Sequence, residues 1–184
     1  MMVRAKPGLN DEQGRLEFLR DQDRPLLVFL HSDAVDAVRD PDSPWMDLKD
    51  MDDVDLAVCA AAWARREGDQ PPPGVLTSSL IRFWSAQLAS WALTDGGDVS
   101  GPVRILIDQP QSALGWKEAL EVLLAAATLE IPLDVVFSTA AWESMQSRTD
   151  TRAAWRQLTD FDLASLRVAG GDGEADPTGR EVQL

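Results

Sequence analysis

Five short apolar runs, each about one β-strand long, constrain this chain more than any other feature. They occupy residues 26–30, 55–58, 103–107, 133–137 and 165–168, and most lack strict polar alternation. Runs of that kind fit strands buried on both faces of a parallel sheet. Helical patterns lie between them. Over 115–129, Trp116, Leu120, Leu123, Leu124 and Ala127 recur at helical spacing, and Pro132 closes the connection into the next strand. Over 78–93, Ile81, Trp84, Leu88, Trp91 and Ala92 mark an apolar face, with Thr77 or Ser78 available as a cap. Alternating strands and helices predict an α/β fold, three-layer α/β/α with a mainly parallel sheet.

Two segments read as loops. Residues 69–74 carry three consecutive prolines, and the glycine-rich stretch 94–102 divides the chain near its middle. The expected halves are 1–98 and 99–184, packed as one compact unit. Residues 1–8 offer too little apolar material for a normal opening strand. The tail 170–179 is polar, and 182–184 has the character of a short edge strand. A weak internal repeat crosses the midpoint: Val28-Phe29-Leu30-His31-Ser32 resembles Val135-Val136-Phe137-Ser138-Thr139, and Leu56-Ala57-Val58-Cys59 lines up with Leu166-Arg167-Val168-Ala169. Only the first copy then carries a thiol.

Charge and cysteine usage narrow the functional classes. With 31 acidic against 17 basic residues the net charge is -14, so non-specific adhesion to nucleic acid or to an anionic membrane is not expected. One cysteine forms no internal disulfide, which makes a reducing, cytoplasmic setting the expectation. No apolar signal core occurs in residues 1–10, and no run approaches membrane-spanning length. There is no phosphate-cradling glycine loop and no zinc-type cluster. The acidic stretch 47–53 lacks calcium-loop spacing and reads as a solvated face.

Cys59 falls where a strand run stops and the helix-forming Ala60-Ala61-Ala62-Trp63-Ala64-Arg65-Arg66 begins. Amides at a helix start stabilise a thiolate, the nucleophilic form of the side chain, so Cys59 is the candidate reactive group. The alternative is a buried cysteine acting as a small hydrophobe. His31, the sole histidine, ends the preceding strand, and adjacent parallel strands would bring it to the same carboxyl edge as a possible activating base. A histidine packed at a strand end is the rival reading. Asp33 is a candidate to orient His31 or to bond its own turn. Arg65 or Arg66 would add positive charge if a helical turn carried either back; otherwise both are solvated surface residues.

Taken together, Leu26 to Leu30 followed by His31-Ser32-Asp33-Ala34-Val35, the segment Leu56-Ala57-Val58-Cys59-Ala60-Ala61-Ala62, and Ile105-Leu106-Ile107-Asp108-Gln109-Pro110 leading into Gly115-Trp116-Lys117-Glu118-Ala119 resemble the DsrE/DsrF-like (DsrEFH, or TusBCD) sulfur-relay family. The first half resembles the DsrE or TusD branch, and the second the DsrF or TusC branch, in which the working cysteine is commonly missing, as at Ala169. The resemblance implies a DsrEFH-like fold and a sulfurtransferase role in which Cys59 carries a persulfide for tRNA thiolation or sulfur oxidation. With Cys59 in that role, the residue positions themselves make His31 the candidate activating base and leave the helix-start amides of Ala60 and Ala61 and the charge of Arg65 to stabilise the sulfur anion. The resemblance implies no metal or organic cofactor. Its expected partners are donor and acceptor proteins with reactive cysteines, and assembly into a homo-oligomer or with paralogous subunits. The other class left open is a non-catalytic interaction or scaffold subunit.

Overall fold

The computed structural model of the protein describes residues 2–3, 26–66, 70–94, 101–160, 162–169 and 180–184. These residues group into two units, Met1–Phe83 and Trp84–Leu184, each with its own four-stranded sheet in which every pairing is parallel. The chain is therefore a mainly parallel α/β protein.

In the first unit the strands are β1 (Met2–Val3), β2 (Leu26–Leu30), β3 (Val54–Cys59) and β4 (Leu76–Ser78), lying side by side in that order. Two short 3-10 helices, Ser32–Val38 and Pro44–Asp50, connect β2 to β3. They bury Val35, Val38, Trp45 and Leu48 completely, so this crossover supplies core although its sequence is dense in aspartate. The helix α1 (Ala60–Arg66) follows β3 without an intervening residue. Pro72 and Gly74 then turn the chain into β4: the Pro72 carbonyl accepts from the Val75 amide at 3.0 Å, and Gly74 takes the left-handed φ of 87° that a side chain disfavours.

The helix α2 (Leu80–Thr94) contains the division between the units. Its cap is Ser79, whose hydroxyl accepts from the Arg82 amide at 3.2 Å, rather than Thr77 or Ser78, which belong to β4. The expected apolar face is confirmed at Trp84 and Trp91, both buried. Ile81 is exposed, and Phe83 is buried instead.

In the second unit the elements are β5 (Val103–Ile107), α3 (Ala113–Ala127), β6 (Leu133–Phe137), α4 (Thr139–Ser147), α5 (Thr149–Asp160), β7 (Ala164–Val168) and β8 (Glu181–Gln183), with strand order β7-β6-β5-β8. Ser112 caps α3 by accepting from the Gly115 amide at 3.0 Å. Phe137 lies among Trp116, Trp142 and Trp155, with ring centroids 6.4, 5.3 and 5.6 Å away, so helices α3, α4 and α5 cover one face of β6. Trp84 donates its indole N–H to the Val122 carbonyl of α3 at 2.9 Å.

The five expected strands are present with bounds within one residue of those predicted. The edge strand expected at the C-terminus forms as β8, one residue earlier than predicted. Met2 and Val3 pair with Phe29 and Leu30, so an opening strand exists despite its meagre sequence. Residues 4–10, Asp69, the loop 95–100 and the tail 170–179 lie outside the described residues. The proposed repeat has a counterpart in the sheets: Leu30 pairs with Val58 in the first unit, and Phe137 pairs with Val168 at the corresponding positions of the second.

Candidate active site

The register of the first sheet decides which side chains can meet. Phe29 is opposite Ala57 and Ala57 opposite Leu76, while Cys59 is opposite Ser78. Leu30 is opposite Val58, and His31 continues β2 in extended conformation (φ -136°, ψ 161°), so the next position of β2 falls beside Cys59. Side chains alternate along a strand, and those opposite one another across parallel strands share a face. His31, Cys59 and Ser78 therefore form one row on one face at the carboxyl edge, with roughly 4.8 Å between neighbouring strands. The ring contacts agree: Phe29 stacks on His31 at 6.5 Å and meets Phe83 of α2 at 5.4 Å, placing them on a common face.

All three members of the row are buried, His31 at 0%, Cys59 at 2% and Ser78 at 6% exposure. The hydroxyl of Ser32 lies 3.2 Å from His31 Nδ1, so Ser32 orients the imidazole. Ser32 has a φ of 54°, a left-handed conformation that costs a non-glycine residue on the order of 1 kcal/mol or more. Among the described residues the Ser78 hydroxyl has no hydrogen-bond partner. An unmet buried hydroxyl costs roughly 1–3 kcal/mol, and a sulfur anion at the opposite residue is a group it could serve.

Above this edge, the chain leaves β2 and β3 through the first 3-10 helix and α1. Arg66 ties these two exits together, donating through Nη2 to Asp33 Oδ1 at 2.7 Å and through Nη1 to the Ala62 carbonyl at 3.1 Å. Arg39 adds a second tie, its guanidinium 5.1 Å from the Trp63 ring centre. The carboxylate of Asp33 thus engages Arg66. The Arg66 side chain is largely buried and pinned, which corrects the expectation of a solvated arginine. Ala60 and Ala61 are exposed in the first turn of α1, and Arg65 is exposed in its last turn. Because α1 is only seven residues long, its dipole is that of less than two turns.

Sequence reasoning singled out Cys59 and His31 and missed Ser78, Ser32 and the bridging role of Arg66. Ser78 carried the signal of a helix cap, and only the pairing of the three-residue β4 reveals its place beside Cys59. Among the described residues no group of three histidine, cysteine or acidic side chains is arranged to hold a metal, and no helix is long and apolar enough to cross a membrane. Comparison with known proteins found no match: no family model, no curated protein and no solved structure is similar to the chain at a significant level.

Proposed function

We propose that Cys59 is a sulfur carrier and that the protein works as a relay between a persulfide donor and an acceptor thiol. The observation that carries this reading is the row of His31, Cys59 and Ser78 on one face of a parallel sheet at its carboxyl edge, where α/β proteins place ligands. A thiol, an imidazole oriented by Ser32 and a hydroxyl without a partner among the described residues are the groups needed to generate and hold a sulfur anion.

In the transfer, His31 takes the thiol proton and the Cys59 thiolate attacks the outer sulfur of a donor persulfide, R–S–SH. A new S–S bond forms, the donor S–S bond breaks, and the donor leaves as its thiolate, which takes up a proton. Cys59 is left as Cys59–S–SH. The same exchange runs forward when an acceptor thiolate attacks the outer sulfur and restores Cys59. No net oxidation occurs. The donor and acceptor are proteins or small molecules with reactive thiols, and docking must expose the buried Cys59 sulfur.

That burial favours one rival, a non-catalytic interaction subunit in which Cys59 is core packing. Intact-protein mass spectrometry after incubation with a persulfide donor separates the two. The relay predicts one added sulfur on the wild type and none on Cys59→Ser, with both proteins folded. No added sulfur on the wild type, together with Cys59 resisting a small alkylating reagent until the protein is unfolded, assigns the cysteine to the core.

A further inference from the structure

The second unit contains a cavity of about 270 Å³ bounded by α4, α5 and β7. Its apolar wall is made by Trp142, Met145, Trp155 and Leu166. That wall is stiff. Trp155 is fully buried and meets Trp116 edge-on at 5.7 Å and Phe137 at 5.6 Å, while Trp142 meets Phe137 at 5.3 Å. The rim is basic, supplied by Arg152 and Arg156 one turn apart on α5. Gln146 and Thr159 complete the lining, so among the described residues no carboxylate borders the cavity.

These two arginines differ from six others of this acidic protein. Arg39, Arg66, Arg82, Arg104, Arg148 and Arg167 each meet an aspartate. Arg148, one residue before α5, is held by Asp150 at 3.0 Å. Among the described residues neither guanidinium of Arg152 and Arg156 has a hydrogen bond or an ion pair. Like charges four residues apart on a helix repel, and a net charge of -14 would provide acidic neighbours readily if compensation were the only requirement. Two forks that have no counter-charge among the described residues, beside an apolar wall, match a carboxylate borne on an apolar body, because guanidinium binds carboxylate through paired N–H groups. The volume lies just below that of ordinary drug-sized pockets and suits a fragment-sized ligand.

We propose that this cavity binds a small organic carboxylate, with an aromatic or branched apolar group against Trp142 and Leu166, which keep accessible surface, and the carboxylate between Arg152 and Arg156. The ligand is a free small molecule.

Calorimetric titration and ligand-observed NMR on the full chain test this with phenylacetate as probe. Phenethyl alcohol supplies the apolar body without the charge, and inorganic phosphate supplies charge without the body. Phenylacetate should bind with a Kd of about 1 mM or tighter, and each of Arg152→Gln and Arg156→Gln should weaken it by about tenfold. Arg148→Gln should leave it within about twofold, since Arg148 is outside the lining. Thermal melts establish that the variants are folded. The proposal is overturned if phenylacetate fails to bind up to about 10 mM, if it binds the double Arg152→Gln/Arg156→Gln variant as well as the wild type, or if either control binds as tightly.

Discussion

Corresponding strand ends in the two units hold different chemistry on the same backbone register. Leu30 beside Val58 in the first unit corresponds to Phe137 beside Val168 in the second, and one residue further on stand His31 and Cys59 against Ser138 and Ala169. Ser138 is committed to structure: its hydroxyl accepts from the Ala141 amide at 3.1 Å and donates to the Asp108 carbonyl at 2.7 Å, capping α4. His31 occupies the cap position of a 3-10 helix and makes no side-chain cap bond there. The cysteine position differs through its flank. Beyond β3 lies β4, and Cys59 is buried; among the described residues β7 ends its sheet, and Ala169 is exposed. Strand register alone therefore does not define a site. The neighbouring strand sets burial, and the following helix decides whether the adjacent polar side chain is consumed as a cap.

The sharpest way to break this comparison is to give the second unit a thiol. In a Cys59→Ser background, the cysteine introduced by Ala169→Cys should react with iodoacetamide about 100-fold faster under native conditions than Cys59 does in the wild type. A buried thiol must wait for a local opening of roughly 2–3 kcal/mol, which the edge position does not need. Equal native rates would show that β4 does not shield Cys59. A smaller effect is expected at the cap. Ser138→Ala should lower stability by about 1 kcal/mol in urea unfolding, and Ser138→Thr, which keeps the hydroxyl, should recover most of the loss. An unchanged midpoint for the alanine variant would remove the structural role assigned to Ser138.

Much of the architecture was legible because strand-length apolar runs report burial directly. The runs at 103–107 and 133–137 became β5 and β6 with those bounds, and Trp84 and Trp91 went to the interior as their seven-residue spacing implied. What escaped was structure made by pairing rather than by local pattern. Met2–Val3 and Leu76–Ser78 are too short to carry a period, and they are strands because β2 and β3 offer open edges. The 3-10 helix Pro44–Asp50 was hidden because Trp45, Met46 and Leu48 are buried while the aspartates around them face solvent. At the site, the strand-end positions of His31 and Cys59 were readable. The addition of Ser78 to their row was not, since it depends on the register of β4 after a proline-rich turn.

Electrostatics gives the smallest and most exacting contrast between the units. Asp134 stands in β6 between Arg104 of β5 and Ser165 of β7, its register neighbours. It accepts three hydrogen bonds from Arg167, Nε to Oδ1 at 3.0 Å and to Oδ2 at 3.3 Å and Nη2 to Oδ2 at 2.8 Å, and one from Ser165 at 2.9 Å, with Arg104 Nε 3.7 Å away. The Arg167 hydrogen bonds, chiefly, hold its carboxyl below the usual aspartate range against the opposing effect of burial, with help from Ser165 and from both arginine charges. Among the described residues Asp55 of β3 has a single arginine, Arg82 at 2.9 Å, and both side chains are about half exposed. At neutral pH, Asp134→Asn should therefore cost about 1 kcal/mol and Asp55→Asn no more than about 0.5 kcal/mol. The sign of the pH dependence follows from the lowered folded pKa of Asp134. Its contribution is fully present above the unfolded aspartate pKa of about 3.9 and is lost as pH falls through the lower folded value. Urea unfolding of wild type and Asp134→Asn should show a constant gap between about pH 5 and 7 that closes in more acidic solution. A gap that persists undiminished under strong acid would mean that packing at Asp134, rather than its charge, joins β5, β6 and β7.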